Sequence, residues 1–293
     1  MSVDGLIVVD KPAGMTSHDV VARIRRLAKT RRVGHGGTLD PMATGVLIIG
    51  VNRATRLLTY VIGSEKSYAA TIRLGQSTIT DDAEGEVTAT AAVDGVTDEA
   101  VRDGLARQRG EINQVPSAVS AIKINGQRAY KRVREGEDVQ IPARRVTISR
   151  LDILEIRRTP EAVDVDVDVT CTSGTYIRAI ARDLGTLLGV GGHLTALRRT
   201  AVGGLTLTEA RTLEQLEETA PDVVTLPMAE AARQAFPQRA ATDEEARVLS
   251  HGGPLDPVGI EGPYAVFSPA GEVLAIVSER DGKARAEIVL APA

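Results

Sequence analysis

Asp40 stands in the run Gly34-His35-Gly36-Gly37-Thr38-Leu39-Asp40-Pro41, followed by Met42-Ala43-Thr44-Gly45. The three glycines before it permit positive φ and let a backbone or a ligand approach closely. Pro41 forces Asp40 out of the α region, so its carboxylate is presented from an extended loop. An aspartate before a proline is by itself a turn former. Between two apolar elements, however, such a loop is also where a rigid scaffold presents a catalytic group. A second segment, Gly174-Thr175-Tyr176-Ile177-Arg178, opens a helix directly after a strand, where first-turn N–H groups and Arg178 can face an anion. Alone, Arg178 reads as a surface residue. Paired with a carboxylate from another loop, it would keep that acid ionised and oriented as a nucleophile. Lys11-Pro12 and Lys66-Ser67-Tyr68 add polar groups beside predicted strands.

The surrounding pattern says what must hold these groups. Gly5–Val9 and Gly45–Val51 are short apolar runs that read as buried strands. Residues 16–32 read as a helix with Thr16 or Ser17 as N-cap and Asp19 in its first turn. Residues 68–74 alternate, with Tyr68, Ala70, Ile72 and Leu74 on one face. In Val163–Val169, four valines alternate with Asp164, Asp166 and Asp168, which predicts one buried face and one wet face of an antiparallel sheet. Helices are predicted over Thr97–Arg109 and Thr175–Leu188. Strands and helices mix without strict βαβ alternation, which predicts an α+β fold with a mixed, mainly antiparallel central sheet flanked by helices. After about Thr225 the pattern becomes short strands and turns, which predicts a small C-terminal β domain beginning near residue 230.

The 293 residues suffice for about two domains. A chain with one cysteine, Cys171, has no disulfide framework and suits a reducing cytoplasm. Four scattered histidines and that one thiol argue against a zinc site. No long apolar run and no charged leader at Met1 are present, so neither a membrane span nor a signal peptide is expected. With five tyrosines, two phenylalanines and no tryptophan, the chain is poorly suited to gripping nucleic acid on an aromatic platform. The net charge of −4 hides an asymmetry: residues 1–60 and 121–150 each carry a net +5, and residues 206–293 a net −8. Two basic blocks masked by an acidic tail are a nucleic-acid cue, although such blocks can also be solvated faces. Residues 117–145, weakly periodic and densely basic, read as a long excursion from the core.

Together these segments resemble the bacterial tRNA pseudouridine synthase B (TruB) family. The resemblance rests on Asp10 to Ser17, Val33 to Gly45 around Asp40, Lys66-Ser67-Tyr68 and Leu74 to Asp82. It continues through Ser120 to Lys123, Gly126 to Tyr130, Gly174 to Arg178 and Leu197-Arg198-Arg199, in order over about residues 5–210. There are departures. Gly36 stands where Ala or Thr is common, and Ser117 and Val119 replace a proline and an aromatic residue in the excursion.

The resemblance implies a catalytic domain over 1–230, with an RNA-binding flap over 117–145, and a PUA-like β domain over 231–293. It implies isomerisation of uridine 55 in the T loop of tRNA, from an N1–C1′ to a C5–C1′ link, on a flipped-out nucleotide. Asp40 is then the nucleophile, attacking C6 of the uracil or C1′ of the ribose. Arg178 would hold its carboxylate, and Tyr68 would stack on the base and assist the proton step at C5. Lys11, His35, Leu197, Tyr176, Lys123, Arg128 and Tyr130 are the implied substrate-binding set. A redox-neutral isomerisation implies no cofactor and no metal, and a stand-alone cytoplasmic monomer needs no guide RNA, protein partner or membrane. The alternatives are a non-catalytic tRNA-binding or folding-helper protein and a nucleoside glycosidase. The first leaves Asp40, Tyr68 and Arg178 unexplained together, and the second lacks an obvious paired acid.

Overall fold

The computed structural model describes residues 3–119, 123–124, 127–128 and 141–292. The chain forms two compact units, one of Met1–Asp40, Val46–Ile62 and Gly204–Ala293, the other of Pro41–Gly45 and Gly63–Gly203.

In the first unit the apolar run at the N-terminus forms the strand Gly5–Lys11, buried throughout Leu6–Val9. It pairs antiparallel with Leu226–Pro227. The helix Ser17–Leu27 starts on a capping box: Thr16 accepts from the Asp19 N–H while the Asp19 carboxylate accepts from the Thr16 N–H. It ends about five residues before the predicted Arg32, because Lys29 adopts the left-handed conformation at φ 50°. The strand Val33–Gly36 then pairs antiparallel with Ile48–Val51, His35 opposite Ile49. Near the C-terminus a four-stranded sheet runs in the order Gln238–Ala240, Tyr264–Phe267, Val273–Arg280, Lys283–Val289. Tyr264, Val266, Ala275 and Val277 join Leu249 and Leu255 in a core under that sheet, so the expected small β domain is present.

The second unit is built on a sheet ordered Gly192–Val202, Lys66–Leu74, Val163–Cys171, Arg144–Arg158, Gly110–Gln114, every pair antiparallel. Thr44 and Gly45 add a parallel contact to Arg198 and Arg199. The sheet is mixed and mainly antiparallel, as the patterning predicts. Val163, Val165, Val167 and Val169 point inward, each burial contributing about 1.5–3 kcal/mol. The helix Ile177–Leu187 packs Ile177, Ile180, Ala181 and Leu184 inward. On the wet face Asp164 takes a two-pronged bond from Arg73, Asp166 pairs with Arg157, and Asp168 pairs with Arg150. That acidic ladder is neutralised by arginines.

Two long strands escape the periodicity argument. Arg144–Arg158 carries register shifts at Ile148/Arg150 and Ile153/Glu155, and Gly192–Val202 carries them at Leu194/Ala196 and Arg199/Ala201. Each shift reverses which residues face inward, so strict alternation is lost in the sequence.

Candidate active site

In the first unit the chain of support for Asp40 begins at Lys11. Its side chain is fully buried, and the ammonium donates to the carbonyls of Pro12 (2.8 Å) and Met15 (2.6 Å). Those bonds shape the turn that leads into the helix Ser17–Leu27. On its first turn the Ser17 hydroxyl accepts from the Leu39 N–H (2.9 Å) and donates to the Leu39 carbonyl (3.1 Å). Leu39 is buried and Asp40, the last residue of this unit's first segment, is half-buried. His35 lies on the strand five residues before it, its ring edge-on to His18 at 5.3 Å between centroids.

In the second unit Tyr68 is buried on the strand Lys66–Leu74, opposite Val169 on one neighbour and Arg199 on the other. Two residues earlier the Lys66 ammonium donates to the Ser64 carbonyl (2.9 Å). Burial, reinforced by the nearby Arg199 cation, pushes Lys66 down to about 8. Leu197 lies opposite Ala70 and borders a cavity of about 460 Å³ together with Met42, Thr44, Thr71 and Arg198. Tyr68 and Arg178 do not border that cavity.

Arg178 is 4% exposed, on the first turn of the helix Ile177–Leu187. Its guanidinium donates to the carbonyls of Thr80 (2.6 Å) and Val119 (3.0 Å) and lies 3.4 Å from the Asp82 carboxylate. Tyr176 caps this helix without using its side chain. Instead its backbone N–H donates to the Gln114 side chain (2.8 Å), and the Gln114 amide donates back to the Tyr176 carbonyl (3.1 Å). Lys123 and Arg128 lie opposite each other in a short antiparallel pair, Lys123–Ile124 with Gln127–Arg128. Tyr130 and most of the predicted flap lie outside the described residues.

Sequence reasoning offered Ser17 only as an alternative N-cap, a place Thr16 takes, and assigned no role to Gln114 or Asp82. The Leu74 to Asp82 run held one of these, but no local signal tells that Asp82 meets an arginine 96 positions later in the chain. Among the described residues, no group of three or more His, Cys, Asp or Glu side chains is placed to hold a metal ion. Nor is any helix among them long and apolar enough to cross a membrane.

Comparison with known proteins places this architecture. The TruB family pseudouridylate synthase (N terminal domain) profile matches residues 25–177. The tRNA pseudouridylate synthase B C-terminal domain follows over 178–227, and the tRNA pseudouridine synthase II C-terminal profile covers 236–291. Among solved structures, the archaeal box H/ACA sRNP Nop10–Cbf5 complex aligns with a TM-score of 0.71 and 26% identity, over 98% of this chain and 86% of that one. An H/ACA RNP bound to a substrate RNA containing 2′-deoxyuridine shares the fold at a TM-score of 0.72 and 24% identity, over 98% of this chain and 85% of that one. The fold is that of pseudouridine synthases. The tRNA pseudouridine synthase B of Arthrobacter sp. (strain FB24) is 55% identical across 99% of this chain and 97% of its own length. That of Thermobifida fusca (strain YX) is also 55% identical, across 98% and 99%. The chain belongs to the TruB family of pseudouridine synthases.

Proposed function

We propose that this enzyme converts uridine 55 in the T loop of tRNA to pseudouridine, with Asp40 as the nucleophile. Membership of the family and 55% identity to tRNA pseudouridine synthase B proteins along nearly the whole chain support the reaction and the tRNA substrate. The observation that carries the nucleophile is the reciprocal grip of Ser17 on Leu39, which immobilises the backbone immediately before Asp40. A carboxylate delivered from a rigid loop loses little freedom when it attacks.

The carboxylate bonds to the nucleotide, at C6 of the uracil or at C1′ of the ribose, while the N1–C1′ bond breaks. The base turns, a C5–C1′ bond forms, the Asp40 bond is released, and the proton on C5 is exchanged for one on N1. Atoms and electrons balance within the nucleotide, so no cofactor enters. Arg178 supplies the fixed positive charge that the reacting carboxylate needs, its planar fork matching a carboxylate in two-pronged fashion. Tyr68 stacks on the uracil and assists at C5, and Leu197 forms an apolar wall. Lys11, His35 and Tyr176 support the nucleotide, and Lys123, Arg128 and Tyr130 belong to the RNA-contacting set. The detached base must be kept from water, or it would leave as free uracil. The proposed organisation is a catalytic domain over 1–230 and a PUA-like domain over 231–293, acting as a cytoplasmic monomer without a guide RNA.

Incubation with unmodified tRNA and no added cofactor, followed by mapping of pseudouridine, tests this reading. Modification at position 55 by the parent, with intact tRNA binding but no product for Asp40→Asn, is expected. Product at a different position, or an active Asp40→Asn, overturns it.

A further inference from the structure

Arg178 and Arg182 lie one turn apart on the helix Ile177–Leu187, and their guanidinium groups bridge the same two segments. On one side is the turn Thr80–Asp82. Arg178 donates to the Thr80 carbonyl (2.6 Å) and lies 3.4 Å from Asp82, while Arg182 lies 3.5 Å from Asp81. On the other side is the stretch Val115–Val119. Arg178 donates to the Val119 carbonyl (3.0 Å), and Arg182 donates to those of Val115 (2.7 Å) and Pro116 (3.5 Å). Arg182 also pairs with its neighbour Asp183 at 2.8 Å. The two arginines are therefore parallel rungs between the same two rails.

Both rails are stiff at their other contacts. Asp82 accepts from the Thr80 hydroxyl (2.5 Å) and the Glu84 N–H (3.0 Å), and the Asp81 carbonyl accepts from the Leu194 N–H (3.0 Å). Asp81 itself sits at φ 59°, a left-handed conformation that an aspartate tolerates better than most residues. The reciprocal Gln114–Tyr176 bonds clamp the start of the second rail to the start of the helix. A guanidinium whose two ends are bonded to different segments takes its orientation from their separation. Arg182 spans the same gap one turn further along, where its side chain is 27% exposed, against 5% for Arg178.

We propose that Arg182 and Asp81 form a positioning pair for Arg178, holding the two segments at the separation that aims its guanidinium. This rests on the reading above that Arg178 serves the reacting carboxylate. The pair touches neither the uracil nor Asp40 in the chemistry, so its loss slows the reacting step and leaves tRNA capture intact. A lysine at position 182 cannot replace it, because a point charge on one nitrogen lacks the fork that reaches two carbonyls and a carboxylate together.

The test uses the full chain with unmodified tRNA, comparing the parent with Arg182→Gln, Asp81→Asn and the double variant, with Asp40→Asn alongside. A misplaced catalytic group costs up to about a hundredfold, so Arg182→Gln is expected to lower kcat about tenfold with KM within about twofold. Asp81→Asn lowers kcat less, and the double variant is no slower than Arg182→Gln, because residues acting as one unit do not add. Arg182→Lys is expected to show the same kcat loss, and it carries the comparison if the glutamine variant fails to fold. An unchanged kcat, a loss confined to KM, or multiplying effects in the double variant overturns the proposal. An active Asp40→Asn would instead overturn the assigned nucleophile, a result read independently of the Arg182 series.

Discussion

The hydroxyl of Ser17 satisfies both backbone groups of Leu39, accepting from its N–H at 2.9 Å and donating to its carbonyl at 3.1 Å, although the two residues are 22 positions apart. One side chain thus does for Leu39 what a neighbouring strand would do. Ser17 is 1% exposed, so no water can take over if the hydroxyl is removed. Ser17→Ala strands a buried donor and a buried acceptor, at about 1–3 kcal/mol for each unsatisfied group. The expected outcome is a lower urea midpoint and a reduced kcat with unchanged tRNA affinity. A variant that loses stability but keeps full kcat would show that the grip on Leu39 does not steer Asp40.

Gly45 closes the segment that follows Asp40 and sits at φ 98°. A Cβ there would stand 2.2 Å from the Arg199 carbonyl oxygen and 2.9 Å from the Arg199 nitrogen, both backbone atoms of its partner strand. Neither can swing aside as a flexible side chain would. Gly45→Ala is therefore expected to cost on the order of 3 kcal/mol or more, from strain and from the forced separation of Thr44–Gly45 from Arg198–Arg199. Equilibrium unfolding of the variant measures this, and activity should fall with it.

Cys171 is buried at the end of the strand Val163–Cys171, opposite Lys66. Burial pushes its thiol up to about 11. At pH 8 roughly one thiol in a thousand is then ionised, and that thiolate is shielded. Iodoacetamide should leave the native enzyme unlabelled and active at pH 8, while the urea-unfolded chain is labelled fully; mass spectrometry distinguishes the two.

Glu287 accepts from the Ser278 hydroxyl (2.6 Å), the Tyr60 hydroxyl (2.8 Å) and Arg280 (2.8 Å). The first of these bonds does most to hold its carboxyl below the ordinary value of 4.5. Because the folded value is the lower one, the unfolded chain takes up the proton first on acidification. The stabilisation is complete above 4.5 and drains away as pH falls through the lowered folded value. Glu287→Gln should cost about 1–2 kcal/mol at pH 7. The melting temperatures of parent and variant should converge as the pH is taken below the lowered folded value.

Local patterns carried much of this protein. The valine–aspartate alternation of Val163–Val169 announces a sheet with one wet face, and the Thr16–Asp19 spacing announces a helix start. Both of these signals lie within a dozen residues, because they depend on backbone geometry and on which side of one element is dry. Asp40 and Arg178 read locally as a turn former and a surface residue, and it is the resemblance of the Gly-Thr-Leu-Asp-Pro and Gly-Thr-Tyr-Ile-Arg runs to one family that points to them. The bulged strands Arg144–Arg158 and Gly192–Val202 were not legible, since each register shift cancels the alternation on which such a reading depends.

The sequence by itself determined which residues are chemically equipped and which elements carry them. Only the tertiary structure decided their partners: Ser17 for Leu39, Asp82 and the Val119 carbonyl for Arg178, Arg199 against Gly45. The reason is that a buried polar group must find a complementary one at about 3 Å. Which one it finds is set by how separate elements pack, and that information is spread over the whole core rather than written beside the residue.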